Sequence, residues 1–419
     1  MSKIITKRLQ TQINSYVKSL NGLSKPETRC VKDMAMGILK SKSVFVNRIA
    51  ASLREPLKLK DVAKRLSAQY LKEDFWESLS QSHLAEAGRG IGREEFLVLD
   101  GTDISKKHAR FMEGLEFVRN GDTGKNGLGY NVVNINAVSM GKGITPLYSK
   151  AYSFEMGALS SNSEVKKAVG QVNNKLEGKG CWVFDRGGDS AILKDFFFSL
   201  ENQAILRLKR NTQLDYKGSR RKVSQIAERV EFNSTEKITK IKKDTPVVET
   251  YELAATPVTY QLEGKPCPLW LVISRNTKHG GLCYLLVKTT KENGIEVAKW
   301  AFKGYGLRWK IEEYHRHVKS QYGLEDIQIK TFNGLQSMLA LLTSAMYLIY
   351  KKASALHFTL LLDAGYNYLN KYVVRELTNF IYYKIGKIVS NLLMPVRCRW
   401  KHLTTIDKPN DPQLQMTLN

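Results

Sequence analysis

Cysteine is scarce in this chain, and its five copies, Cys30, Cys181, Cys267, Cys283 and Cys398, are odd in number and far apart. No C-x-x-C pair occurs, so neither a zinc site nor a disulfide framework is supported. His315 and His317 form an H-x-H pair, but on a helix they diverge by about 200° and cannot chelate one ion together. Long hydrophobic runs are equally rare. The nearest candidate, LQSMLALLTSAMYLIY at 335–350, is 16 residues long and includes Gln336, Ser337, Thr343 and Ser344, so it predicts a buried helix and no membrane partner. The N-terminal MSKIITKRLQTQ lacks an apolar signal core, which leads us to expect a cytoplasmic protein.

Acidic charge is in short supply too. The chain has 40 Asp and Glu against 65 Lys and Arg, a net charge of +25. That excess is larger than solubility requires and points to a polyanionic partner. It is spread along the chain: residues 1–90 carry 17 basic against 8 acidic side chains, and residues 206–243 carry 12 against 4. A membrane-surface protein would concentrate such charge beside an amphipathic or spanning segment. With 419 residues, 42% of them hydrophobic and 10% aromatic, there is room for two or three domains with real cores.

Glycine and proline are sparse in residues 1–90, where CVKDMAMGILKSKSVFVNRIAASL and LKDVAKRLSAQYL carry helical spacing. A basic helical domain is expected there, serving either DNA-end binding or as a cap packed on the next domain. After GRGIGRE the pattern turns to short apolar runs. FLVLD, GLGYNVVNINAVSMG and GITPLYSKAYS predict three strands, followed by helix, strand (CWVFD), helix and strand (QAILRLKR) over 91–210, an α/β order with a mixed sheet. Over 211–293 the rhythm changes to PVVETYELAATPVTYQLE, PLWLVISRNT and GLCYLLVKTT with a KHGG turn, an antiparallel β insertion entered through KGSRRK. Helix resumes over 294–331 and continues through 332–419, whose tail DKPNDPQLQMTLN reads as loose.

The stretch YGLRWKIEEYHRHVK at 305–319 gathers its chemistry on one side. Projected at 100° per residue, Tyr305, Arg308, Glu312 and Lys319 share an arc of about 60°, while Leu307, Ile311, Tyr314 and Val318 lie on the other face. Alone, this is equally a solvated face with i,i+4 pairing of Arg308 and Glu312. Two other acids change the reading. Asp100 follows the run FLVL and Asp185 the run CWVF, where open α/β sheets present their chemistry. Either one alone reads as a turn or helix cap. Carboxylates converging from separate elements repel unless neutralised, and hard divalent cations with oxygen ligands do so. Asp103 and Asp189 are near rivals; Asp100 and Asp185 are preferred because each directly follows four apolar residues.

Taken together, these residues resemble the DDE transposases of bacterial insertion sequences that carry the signature Y-x2-R-x3-E-x6-K. Tyr305, Arg308, Glu312 and Lys319 complete it, with Asp100 in LDGTDIS and Asp185 in VFDRGGD as the first two acids. The resemblance implies a ribonuclease-H-like mixed-sheet core interrupted by a β insertion. It also implies that Asp100, Asp185 and Glu312 hold two Mg²⁺ ions about 3.5–4 Å apart, with Mn²⁺ able to substitute. By the same resemblance Tyr305, Arg308 and Lys319 grip DNA phosphates, and a homodimer brings element ends and target DNA together. Arg220, Arg221 and Lys222 are added as DNA contacts on charge alone. Arg186 and Trp309 are candidates for DNA contact or for a salt bridge and a packed indole, and RCRWKH at 397–402 for an exposed cationic face or a dimer contact. A structure-specific nuclease and a DNA-binding protein that no longer cuts are the competing functions.

Overall fold

A computed structural model describes residues 2–106, 108–121, 123–140, 143–242, 245–353 and 381–397. Five helices open the chain: α1 (Ser2–Ser19), α2 (Lys25–Ser41), α3 (Val46–Leu53), α4 (Leu59–Tyr70) and α5 (Phe75–Gly88). Local chemistry sets their limits. Ser24 and Glu27 form a capping box ahead of α2, satisfying amides that the first turn leaves free. These helices do not stand apart from the rest of the protein. α2 and α5 pack on α11 (Phe332–Tyr347), α5 also packs on β4 (Gly143–Tyr152), and α1 and α2 pack on the helix Ile381–Leu393, called α12 here.

The long apolar stretch at 332–351 has the length and hydropathy of a membrane span, yet 89% of its most apolar window is buried inside the protein. Its polar residues have structural work. Gln336 receives a hydrogen bond from the Ala151 amide at 2.9 Å and donates one to the Ala151 carbonyl at 2.7 Å. One side chain thereby satisfies both backbone groups of Ala151, which its ladder with β3 leaves facing outward.

The twelve strands among the described residues pair into one sheet. β1 (Phe96–Ser105) lies between β3 (Asn126–Ser139) and β5 (Cys181–Phe184), β4 pairs with the far edge of β3, and β6 (Ala204–Arg207) follows β5. β1, β3 and β4 are antiparallel, whereas β1, β5 and β6 are parallel. The expected order of three strands, helix, strand, helix and strand is present, with α6 (Ser161–Lys175) and α7 (Ala191–Ser199) as its helices. A four-residue strand, β2 (Glu116–Arg119), is additional; it is too short for its alternation to stand out.

Beyond β6 the sheet continues antiparallel through β12 (Leu282–Lys288), β11 (Lys265–Asn276), β10 (Thr245–Leu262) and the hairpin of β7 (Gln213–Tyr216) and β8 (Ser219–Lys222). β9 (Ser234–Lys242), which lacks an apolar run, pairs with β10, and the five-residue helix α8 (Val223–Ala227) interrupts this strand-rich part. Of RCRWKH only Arg397 is within the described residues, and the tail DKPNDPQLQMTLN is outside them.

Strand alternation decides what each face carries. Trp182 and Phe184 turn toward Phe197 of α7, with ring centroids 5.9 and 5.2 Å apart. Phe96 turns toward the opposite layer, where its ring lies 5.6 Å from Trp300 of α9 (Gly294–Gly306). α9 approaches closely because Gly304 has no side chain: a Cβ there would sit 2.3 Å from Phe96 and 3.0 Å from Ile205. The expected continuous helix through 305–319 is in fact two. α9 stops at Gly306 and α10 runs Trp309–Tyr322, a break at which Gly304 and Gly306 supply little helix propensity.

Gly304→Ala is expected to destabilise the protein by about 1–3 kcal/mol through overpacking, despite the better helix propensity of alanine. Gly306→Ala, whose Cβ would meet nothing within 4 Å, is expected to be neutral or to stabilise by up to about 1 kcal/mol. Urea unfolding of both variants checks the pair; equal effects would show that α9 does not depend on close approach at Gly304.

Candidate active site

β1 and β5 are in register through Leu99 and Phe184, so Asp100 and Asp185 come next on adjacent parallel strands. Asp100 is not at a strand end, as the run FLVL suggested. β1 continues along β3 to Ser105, and only its pairing with β5 stops at Leu99. That leaves one flank of Asp100 open beside Asp185. The period of two puts Asp100 on the same face as Phe96, the face covered by α9 and α10.

The third acid arrives from α10 and is tied to the first by arginine. Arg308 Nη2 donates to Glu312 Oε1 at 2.6 Å, and Nη1 lies 3.4 Å from Asp100 Oδ2. Its side chain is only 6% exposed, so the guanidinium is sealed among the acids rather than free in solvent. The Tyr305 hydroxyl donates to Asp185 Oδ1 at 3.0 Å. Arg207, at the end of β6, donates to the Tyr305 hydroxyl at 3.3 Å and lies 3.8 Å from Asp185 Oδ1. The structure thus brings Asp100, Asp185, Glu312, Tyr305 and Arg308 into one cluster.

Charge in this cluster is unevenly shared. Burial pushes the Asp100 carboxyl up to about 6; Arg308 and the Gly101 amide oppose the rise, while Asp185 and Glu312 add to it by repulsion. For Asp185 burial acts in the same upward direction, but the Arg186 amide, Arg308, the Tyr305 hydroxyl and Arg207 outweigh it and hold the carboxyl below its ordinary range. Burial and the neighbouring Asp185 push the Tyr305 hydroxyl up to about 12, so it stays protonated and donates.

The rival acids are occupied elsewhere. Asp103 is 4% exposed and accepts from Lys319 Nζ at 3.0 Å and from the Gly121 amide at 3.1 Å. Asp189 accepts from Lys194, the Lys209 amide and the Thr212 hydroxyl, which fixes the start of α7 to the loop after β6. Lys319 lines the cleft, but its charge is matched by Asp103 and by Glu325 at 3.5 Å. Glu313, beside Glu312, pairs with Lys310 on the surface at 2.9 Å.

Other candidates lie farther out. Arg220, Arg221 and Lys222 sit on β8, at the opposite end of the pairing order from β1, and Arg220 donates to Gln213 at 3.2 Å. Trp309 is not packed: it is 62% exposed, with the Arg308 guanidinium carbon 5.3 Å from its ring centre. The Arg186 side chain is exposed. Sequence reading passed over Arg207, whose one signal is a cation closing the apolar run QAIL beside the strand of Asp185.

Three carboxylates are the donor set that a hard divalent cation prefers. At Asp100 burial leads the upward shift, and repulsion from Asp185 and Glu312 adds to it. Among the described residues, however, no three His, Cys, Asp or Glu side chains converge on one point for an ion. The guanidinium of Arg308 bonds two of the three acids, so a divalent ion would have to share or displace it. The chemistry of the donors fits a metal; their present directions fit arginine.

Residues 92–348 match the family described as Transposase DDE domain. No match was found among curated proteins.

Asp100 sets a pH dependence whose sign follows from its direction of shift. Its carboxyl titrates near 6 in the fold against an ordinary 3.8, so the fold favours the protonated form. The resulting destabilisation is absent below the ordinary value and grows as pH rises through about 6. Asp100→Asn is therefore expected to stabilise the protein by about 1–3 kcal/mol at pH near 7.5 in EDTA, with the gain disappearing toward about pH 3.5. Urea unfolding at the two pH values reads this directly; a loss of stability at both would contradict the assignment.

Proposed function

The chain belongs to the DDE transposase family, and on that premise we propose that it binds the ends of its mobile element, cuts them, and joins the 3′ ends to target DNA. The observation that carries this reading is the meeting of Asp100 and Asp185, from adjacent parallel strands, with Glu312 from a later helix around one arginine. The order β4-β3-β1-β5-β6, antiparallel across the first three strands and parallel across the last three, supports a ribonuclease-H-like core over 91–210 and 294–331. The antiparallel strands β7 to β12 support the insertion over 211–293.

In this reading Asp100, Asp185 and Glu312 would hold Mg²⁺ or Mn²⁺. Such ions, when bound, activate an attacking hydroxyl and stabilise the leaving oxygen of a phosphodiester. The protein's own groups do the rest. Arg308 supplies a planar donor pair suited to a phosphate once it turns from the carboxylates, and its burial in the cluster limits the directions it can take. Tyr305 and Arg207 hold the Asp185 carboxylate in one orientation. Lys319 holds Asp103 and contributes positive field near the cleft, so its effect on DNA is electrostatic as well as direct. Arg220, Arg221 and Lys222 would follow the DNA backbone away from the cut. A homodimer would pair two element ends in the cytoplasm.

Incubating the protein with Mg²⁺ and DNA carrying the element's terminal repeats tests the reading. Double-strand breaks at the repeat boundary followed by joining are expected; random nicking would favour a nuclease, and binding without breaks a protein that no longer cuts. Asp100→Asn, Asp185→Asn and Glu312→Gln are each expected to lower cleavage by several orders of magnitude while end binding stays within a few-fold. Glu313→Gln, which loses only the surface pair with Lys310, is expected to stay within about tenfold.

A further inference from the structure

His315 lies one helical turn beyond Glu312 on α10 and lines the same cleft of about 530 Å³ as Asp100, Glu312 and Lys319. Projection places it about 20° from Arg308 around the helix, just outside the arc shared by the signature residues. It is 9% exposed, and its Nε2 meets no hydrogen-bond partner among the described residues. A buried imidazole nitrogen is ordinarily paired, because leaving it unmade costs about 1–3 kcal/mol.

The other buried histidines show what a structural role looks like. His83 bonds the Tyr16 hydroxyl at 2.8 Å and the Pro146 carbonyl at 3.0 Å. His317 has a buried Nε2 without a partner as well, but its Nδ1 bonds the Tyr350 hydroxyl at 2.8 Å and its ring stacks on Tyr383 with centroids 4.6 Å apart. His315 has only an edge contact with the neighbouring Tyr314 ring. Arg308 Nε is the second buried, unpartnered donor of the same helix face.

We propose that His315 is a further catalytic residue of this site, its Nε2–H donating to a non-bridging oxygen of the phosphodiester that the carboxylate cluster acts on. This rests on the function proposed above. The surroundings favour a neutral donor: burial, then the charge of Lys319, depresses the imidazolium to about 3, with Asp103 opposing and Arg308 adding to the fall. A neutral imidazole orients a phosphate oxygen without adding another charge to a cleft already lined by Arg316 and Lys319. The glutamate and the histidine then divide the work, since Glu312 is bonded to Arg308 whereas the His315 Nε2 has no partner among the described residues.

The experiment compares cleavage of end DNA carrying sulfur in place of either non-bridging oxygen at the scissile phosphate, using wild type, His315→Leu and His315→Gln. Sulfur accepts hydrogen bonds poorly, so one diastereomer should slow wild type in excess of the other. In His315→Leu, kcat with the ordinary phosphate should fall about 10- to 100-fold, DNA affinity should stay within about threefold, and the extra slowing by that diastereomer should vanish. His315→Gln should recover most of both, because its amide can donate from a similar position. A sulfur effect unchanged in His315→Leu overturns the proposal, as does a rate equal to wild type. If wild type itself makes no cut in DNA of any kind, the proposed function fails and this inference falls with it; if it cuts, only the sulfur comparison decides on His315.

Discussion

Three carboxylates brought within reach of one another must be neutralised, and in this protein a single guanidinium meets much of that demand. Arg308 is almost sealed from solvent and reaches Glu312 and Asp100, while Tyr305 and Arg207 attend to Asp185. Each partner needs the other. A buried guanidinium without acids would be costly, and the acids without it would repel harder still. Even so, burial keeps Asp100 well above its ordinary range, with repulsion from Asp185 and Glu312 adding to the rise.

Much of the fold serves this arrangement. Register between β1 and β5 aligns the two aspartates, and alternation turns Asp100 to the helical face. Absence of a side chain at Gly304 lets α9 settle on Phe96 and Ile205, which sets where the chain passes into α10. At the other edge of the core, α11 rests against β4, where Gln336 answers the amide and carbonyl of Ala151. The helices of the N-terminal ninety residues complete that packing, so they bear on the core whatever else they bind.

The periodic parts of this architecture were legible in sequence. Apolar runs before Asp100 and Asp185 announced buried strands, and the helical arc separated Glu312 from its neighbour Glu313, which pairs with Lys310 on the surface. What was illegible has physical causes. The break between α9 and α10 leaves Arg308 in helical backbone, so the projection still worked although the helix was not continuous. The pairing of Lys319 with Asp103 joins residues far apart in sequence, and no local pattern reports it. Arg207 looked like one more cation in a basic region, and His315 was weighed only as half of an H-x-H pair, although it borders the arc of Arg308 and Glu312. The charge cluster at Arg220, Arg221 and Lys222 was visible in composition, but its place at the far end of the sheet was set by strand pairing that composition does not encode.

The central claim is that Asp100, Asp185 and Glu312 form one cation-seeking site in which Arg308 holds the place of part of the charge. Anomalous diffraction from crystals soaked in MnCl₂ tests it most directly. Manganese density is expected between the three carboxylates, with the Arg308 guanidinium moved away from Asp100. Manganese bound instead at Asp103 or Asp189, with Arg308 still bridging Asp100 and Glu312, would contradict it.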